Sequence, residues 1–268
     1  MLRIRLVESQ LADIYAEQEI RSPLHLYIGE EAVAAGVCQN LTTEDYLFGT
    51  YRGHGIYVAS DGDLNRLMAE LYGKEEGCAG GRGGSMHMAA PERGLLGCSA
   101  IVGGTIPHAV GAGLAARLSG KPSVAVCFFG DGAVDEGVFY ESMNFAALKR
   151  LPVLFVCENN GYATNSPQRV RQPEDNIYQR AAVWGFPGLR IDGNDVVAVY
   201  QAALEAVARA RNGDGPTLLE CRTYRWMQHV GPNYDYSRGE DELKEWMARC
   251  PVQRQRELLL EQQVTTEP

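Results

Sequence analysis

Ser123-Val124-Ala125-Val126-Cys127-Phe128-Phe129-Gly130-Asp131-Gly132-Ala133 decides the fold: an apolar run leads straight into an aspartate set between two glycines. Such a run, closed by glycine, reads as a strand buried on both faces. A helical pattern from Pro107 to Leu118 precedes it, and another, from Val138 to Lys149, follows. Further on come a strand from Val153 to Cys157, a helix from Val196 to Arg211 and a strand from Thr217 to Arg222. Alternating strands and helices predict an α/β fold with a doubly wound, mostly parallel sheet and helices on both faces. At the front, Leu2 to Ile20 predicts an amphipathic helix and about Glu30 to Leu41 a second, with Glu30 and Glu31 as an exposed acidic start. Glycine is dense between Gly73 and Gly104, which predicts a long loop whose backbone approaches a ligand closely. After Pro251 a charged helix runs into a polar tail, Gln262 to Pro268, expected to fray. We expect residues 1–268 to form a single domain with that tail appended.

Composition narrows the class. With 268 residues, 45% hydrophobic and 22% charged, the chain suits a soluble globular protein with a sizeable core. A net charge of −9 and a pI of about 5.1 repel nucleic acid and anionic membranes, so neither is an expected partner. Charges interrupt Met1-Leu2-Arg3-Ile4-Arg5-Leu6-Val7-Glu8, and no stretch approaches the roughly 20 apolar residues that span a bilayer, so a cytoplasmic location is expected. The 7 cysteines show no CxxC pairing, which favours buried reduced thiols.

The chemistry gathers at the strand ends. Around Asp131 the glycines admit backbone N–H groups to a phosphate, a helix N-terminus favours its charge, and the carboxylate suits a divalent cation. The next strand ends in Glu158-Asn159-Asn160-Gly161-Tyr162, one strand–helix–strand unit later. If the two strands are neighbours, Mg²⁺ would find a carboxylate oxygen, an amide oxygen and a backbone carbonyl, with diphosphate oxygens completing an octahedron. Alone, Gly130-Asp131-Gly132 fits a plain glycine turn as well. The glycines do not spell G-x-G-x-x-G and no acidic residue closes the next strand as a ribose anchor, which disfavours a dinucleotide site. Of the 5 histidines, any suits proton transfer near neutral pH, although a lone histidine is more often a hydrogen-bonded structural residue.

Taken together, Gly130-Asp131-Gly132 and Asn159-Asn160 resemble the thiamine diphosphate signature. The resemblance extends to His25-Leu26-Tyr27-Ile28-Gly29-Glu30-Glu31-Ala32, Tyr51-Arg52-Gly53-His54-Gly55, Gly83-Gly84-Ser85-Met86-His87 and Leu151-Pro152-Val153. These are similar, in order, to the α chains of pyruvate, branched-chain 2-oxo acid and acetoin dehydrogenases, the acetoin and pyruvate branch most of all. The resemblance implies thiamine diphosphate and Mg²⁺ as cofactors. Asp131 and Asn160 would then ligate the metal by side chain and Tyr162 by its carbonyl. Gly130, Gly132 and Ala133 would border the diphosphate, which Tyr51 and Arg52 contact, arginine with a planar donor fork. Ala100 and Val102 would hold the aminopyrimidine by backbone groups. His54 and His229 would line the reaction centre or phosphate end and His25 the substrate channel, whereas His87 and His108 stay structural.

The same resemblance implies decarboxylation of a 2-oxo acid, or cleavage of acetoin, with the acyl group passed to a lipoyl acyltransferase. It also implies a β chain in an α₂β₂ assembly, because the carboxylate facing the aminopyrimidine N1′ comes from the partner; Glu158 belongs instead to the metal end. Two other readings stay open: a split-chain carboligase or transketolase-like transferase, and a subunit that binds the cofactor without turnover. One loop departs from the family pattern. Tyr224-Arg225-Trp226-Met227-Gln228-His229-Val230 keeps the histidine at its usual distance but lacks the flanking glycine and serine, so phosphorylation at that serine is not implied.

Overall fold

In the computed structural model, which describes residues 1–266, the elements follow in chain order. The first half holds α1 (Leu2–Ile14), α2 (Glu31–Cys38), β1 (Tyr46–Thr50), α3 (His54–Ala59), α4 (Leu64–Leu71), β2 (Leu95–Ser99) and α5 (Thr105–Leu118). Then come β3 (Ala125–Gly130), α6 (Gly137–Leu148), β4 (Val153–Asn159), the short pair β5 (Tyr162–Ala163) and β6 (Ser166–Pro167), and β7 (Gly188–Asp192). Last are α7 (Val196–Arg211), β8 (Thr217–Arg222), α8 (Glu240–Ala248) and α9 (Pro251–Glu261). Of the tail expected to fray, residues 262–266 hold neither helix nor strand, and residues 267–268 lie outside the described part.

The main sheet has the order β2-β1-β3-β4-β8-β7, every neighbouring pair parallel. Side chains alternate across it, as the pleat requires. Val126 and Phe128 of β3 join a core containing Val33 and Val37 of α2 and Val199 and Ala203 of α7. Ala125, Cys127 and Phe129 point the other way, to Ile106 and Val110 of α5 and Phe139 and Met143 of α6. That two-sided burial explains the unbroken apolar run in the sequence. Six of the cysteines are buried and all are free thiols.

Most foreseen elements end within two residues of their expected limits. The first helix is shorter: a 3₁₀ turn at Tyr15–Glu17 and a left-handed Gln18, φ 60°, end it well before Ile20. The strands β1, β2 and β7 escape a pattern search because each is short and carries glycine within it or at its end. After β1 the chain moves outward to β2 and then crosses back to place β3 on the other side of β1. The loops leaving β1 and β3 therefore diverge and open a crevice at the carboxyl edge, where doubly wound sheets bind ligands.

The glycine-rich loop is put to a use its composition did not suggest. Its N–H groups at Ala79, Gly81, Gly83 and Gly84 donate to the Glu70 carboxylate at 2.7, 2.8, 2.7 and 3.0 Å. Gly81 has φ +72°, and a Cβ there would lie 2.4 Å from the Lys74 carbonyl oxygen, so only glycine closes this turn. In the first part of the stretch from residue 73 to residue 104, then, the anion wrapped is a side chain of the same protein, whereas Met86 and residues 100–103 of the latter part line a cleft. Burial alone would raise the Glu70 carboxyl, but the four N–H donors outweigh it and hold it below its ordinary 4.5. A carboxyl depressed in the fold stabilises above its unfolded value, and that stability is lost as pH falls through the folded one. Glu70→Gln should therefore cost at least about 2 kcal/mol at neutral pH. In denaturant titrations the gap from the parent protein should narrow as pH drops below 4.5; a gap independent of pH would contradict this.

Candidate active site

Loops from five strands converge on one cleft of about 390 Å³ at the carboxyl edge, a volume suited to a cofactor-sized ligand. Tyr51 and Arg52 come from the end of β1, Ala100 and Val102 from that of β2, and Gly130, Gly132 and Ala133 from that of β3. Asn160 and Tyr162 follow β4, His229 lies in the loop beyond β8, and His25 precedes α2.

At one end of the cleft the neighbouring strands β3 and β4 bring Asp131 and Asn160 to the same edge. Asp131 is fully buried, between two glycines that line the cleft. Its Oδ2 accepts from Arg171, while its Oδ1 is buried without a partner. Burial raises its carboxyl above the ordinary range, and Arg171 offsets part of that rise. Asn160 donates from Nδ2 to Glu30 Oε1 at 3.1 Å, and its Oδ1 accepts from the Tyr162 N–H at 3.2 Å.

Arg52 forms the middle of the wall. Its guanidinium donates to the Leu26 carbonyl at 2.6 Å and stands 3.6 Å from Glu30 Oε2, an oxygen with no hydrogen bond of its own. Glu30 and Glu158 both line the cleft, and this corrects the expectation of an exposed acidic helix start. Glu30 is 1% exposed and Glu31 is fully buried, the latter accepting from Arg5 at 2.5 Å and from the Gly29 N–H at 3.1 Å. Burial, reinforced by the charge of Glu30, pushes the Glu158 carboxyl up to about 8, with the Tyr27 hydroxyl donating to it. Sequence reading missed Glu30 as a wall residue; its only local signal is proximity to the His25 segment.

Three rings meet in the cleft. His25 lies 4.8 Å from Tyr51 and 5.1 Å from His229, and Tyr51 lies 5.3 Å from His229, centroid to centroid. The unusual loop reaches this point by folding back on itself, with a bridge between Met227 and Tyr234 and Arg225 paired to Asp235. Burial first, then the nearby Arg52 charge, lowers His25 to about 3 and His229 to about 4.

The structure does not bring His54 into the cleft. It is fully buried, with Nδ1 2.8 Å from Glu8 Oε1 and Nε2 2.9 Å from Ser85 Oγ. Glu8 also accepts from the Tyr27 N–H at 2.8 Å. His54 thus ties α1 and the glycine-rich loop to the segment that carries His25, and the expected place at the reaction centre is corrected to a supporting one. His87 and His108 stand outside the cleft as well.

Residues 1–268 match the family described as Dehydrogenase E1 component. The α subunit of an acetoin:2,6-dichlorophenolindophenol oxidoreductase from Bacillus subtilis is 46% identical over 245 residues, covering 91% of this chain and 74% of that protein. Its counterpart from Cupriavidus necator is 42% identical over 91% of this chain and 73% of its own length. The pyruvate dehydrogenase E1 component subunit alpha of Porphyra purpurea is 38% identical over 99% and 79%. The chain belongs to the dehydrogenase E1 family. It is an α-type chain of that family, whose enzymes depend on thiamine diphosphate and pair an α with a β subunit. The cleft fits such a cofactor on its own geometry. The Asp131 turn that borders it carries an unpartnered carboxylate oxygen, the buried Arg52 guanidinium lines it, and backbone is left bare at Gly132, where a Cβ would press on Ala163 at 2.8 Å.

The E1 cleft presents neutral imidazoles. Because His25 and His229 titrate lower in the fold than their ordinary 6.5, the unfolded chain binds protons first and stability falls as pH drops below that value. Carbon-13-labelled histidine spectra of the assembled protein should show both rings unprotonated from pH 7 down to pH 5. Arg52→Met should move both titrations upward; ordinary titration near 6.5 in the parent protein would refute the assignment.

Proposed function

We propose that this chain is the α subunit of a thiamine-diphosphate-dependent dehydrogenase that cleaves acetoin or decarboxylates a 2-oxo acid. The observation that carries the reading is that adjacent strand ends bring Asp131, with its unpartnered oxygen, and Asn160 to the edge of a cleft that Arg52, Gly130, Gly132 and Asn160 line. The greater identity to the two acetoin oxidoreductase α subunits supports acetoin as the first substrate to assay. No observation favours a carboligase or transketolase-like reaction, and the dehydrogenase names of the relatives weigh against one.

In this reading Asp131 and Asn160 hold Mg²⁺ by side chain and Tyr162 by its carbonyl, oxygen donors being what this hard cation prefers. When bound, thiamine diphosphate would supply carbanion chemistry and an electron sink, while the residues of this chain hold and orient it. Arg52 and Tyr51 take the diphosphate, the guanidinium with parallel donors. A protonated Glu158 spares the diphosphate one buried like charge. Gly130, Gly132 and Ala133 offer backbone close to it, and Ala100 and Val102 hold the pyrimidine by main-chain groups. His25 and His229, neutral at working pH, accept or donate hydrogen bonds at the substrate end and move a proton only as it passes through the ring.

Ile101 and Val102 are 71% and 45% exposed at the cleft mouth. Apolar groups there support closure by the β chain, which also brings the carboxylate for the pyrimidine; an α₂β₂ assembly and a lipoyl acyltransferase as acyl acceptor complete the proposal. The isolated chain should then be inactive towards acetoin and pyruvate with an artificial electron acceptor. Activity should appear on adding the β chain, with reductive acylation of a lipoyl domain. Robust turnover by the isolated chain would overturn the two-chain reading. In the assembled protein, Asp131→Ala should abolish tight Mg²⁺-dependent cofactor binding measured by calorimetry, and unchanged affinity would remove Asp131 from the metal site.

A further inference from the structure

The segment that follows Asn160 reaches back to the loop that carries Asp131. Beyond the β5–β6 pair, Arg171 donates to Asp131 Oδ2 and to Asp135 Oδ2, and its Nε bonds the Ser166 carbonyl at 3.3 Å. The next residue continues the tie. Gln172 Nε2 donates to the Asp131 carbonyl at 3.2 Å and to Asp135 Oδ1 at 2.8 Å. Its Oε1 accepts from Gln168 Nε2 at 3.0 Å, while Gln168 Oε1 accepts from Asn159 Nδ2 at 3.1 Å. The stretch from Gln168 to Gln172 therefore clasps both turns that the metal site needs.

What decides the role of Arg171 is the division of labour between the two Asp131 oxygens. One is taken by the guanidinium; the other is buried and has no partner. A carboxylate held at one oxygen loses its freedom to rotate, and the planar fork of arginine, anchored on two carboxylates at once, enforces that hold. We propose that Arg171 is a positioning residue for the cation: it fixes Asp131 by one oxygen so that the other is presented to Mg²⁺. The inference rests on the reading of Asp131 as a metal ligand. Repulsion between guanidinium and cation works against it, but Asp135 already balances the arginine. The trio of Asp131, Asp135 and Arg171 keeps one net negative charge for an arriving cation.

The test is calorimetric titration of Mg²⁺ into the assembled, metal-stripped protein with thiamine diphosphate present. Arg171→Ala should weaken Mg²⁺ binding by roughly 10- to 100-fold, the usual effect of losing a residue that orients a metal ligand. Arg171→Lys should restore only part, since an ammonium lacks the fork that spans both carboxylates. The unfolding midpoint of the metal-free protein should fall no further in Arg171→Ala than in Arg171→Lys. Binding as tight as in the parent, or tighter, would overturn the proposal and make Arg171 a competitor or a bystander; so would a fall in stability with Mg²⁺ affinity unchanged. If Arg171→Ala does not assemble, Arg171→Lys decides alone, and parental affinity in it overturns the proposal. Asp131→Ala separates the two levels: parental Mg²⁺ affinity in that variant would sink the ligand assignment itself, whereas its loss beside an unaffected Arg171→Ala would sink the positioning role only.

Discussion

The parallel register of β3 and β4, in which Gly130 sits opposite Glu158, is the constraint on which the site depends. It brings the residue after Gly130 and the turn after Glu158 to the same carboxyl edge, where the stretch from Gln168 to Gln172 ties the two turns together. A slip of one residue would turn every side chain of the strand to the opposite face and exchange the two cores packed on either side. The register is thus held by burial on both faces of the sheet, far from the chemistry it serves.

Around that fixed point the charges balance locally. Arg52 is a buried cation paired with Glu30, and its charge adds to burial in keeping His25 and His229 neutral. Glu30 links Arg52 to Asn160, by an ion pair on one side and a hydrogen bond on the other, so the cleft wall and the turn after β4 are tied through one carboxylate. A buried arginine is costly to leave unpaired, and the Glu30 carboxylate beside it offsets that cost. The same logic governs Glu70, which fills a nest of N–H groups that would otherwise be unsatisfied.

The sequence was legible where local pattern and structure are the same thing. The apolar runs of β3, β4 and β8 announced a buried parallel sheet, and the glycines and asparagines at their ends marked the cleft. Partnerships between distant residues left no such trace. Glu30 and Glu31 look like ordinary acidic residues at a helix start, and only the fold brings Asn160 and Arg5 to them. His54 sits in a matching motif, yet Glu8 and Ser85, which take both its ring nitrogens, come from separate parts of the chain. The glycines from 77 to 84 signalled a backbone open to close approach but not that the Glu70 carboxylate fills it. Arg171 carried no signal, since nothing in Gln168-Arg169-Val170-Arg171 tells which arginine turns towards Asp131.

The central claim is that the edge shared by β3 and β4 holds the metal of a diphosphate cofactor. Anomalous scattering from crystals of the assembled protein grown with Mn²⁺ and thiamine diphosphate tests it most directly. The account predicts one strong peak per α chain, bounded by the free oxygen of Asp131, the side chain of Asn160 and the carbonyl of Tyr162. A peak elsewhere, or cofactor bound in the cleft with no metal at Asp131, would contradict it.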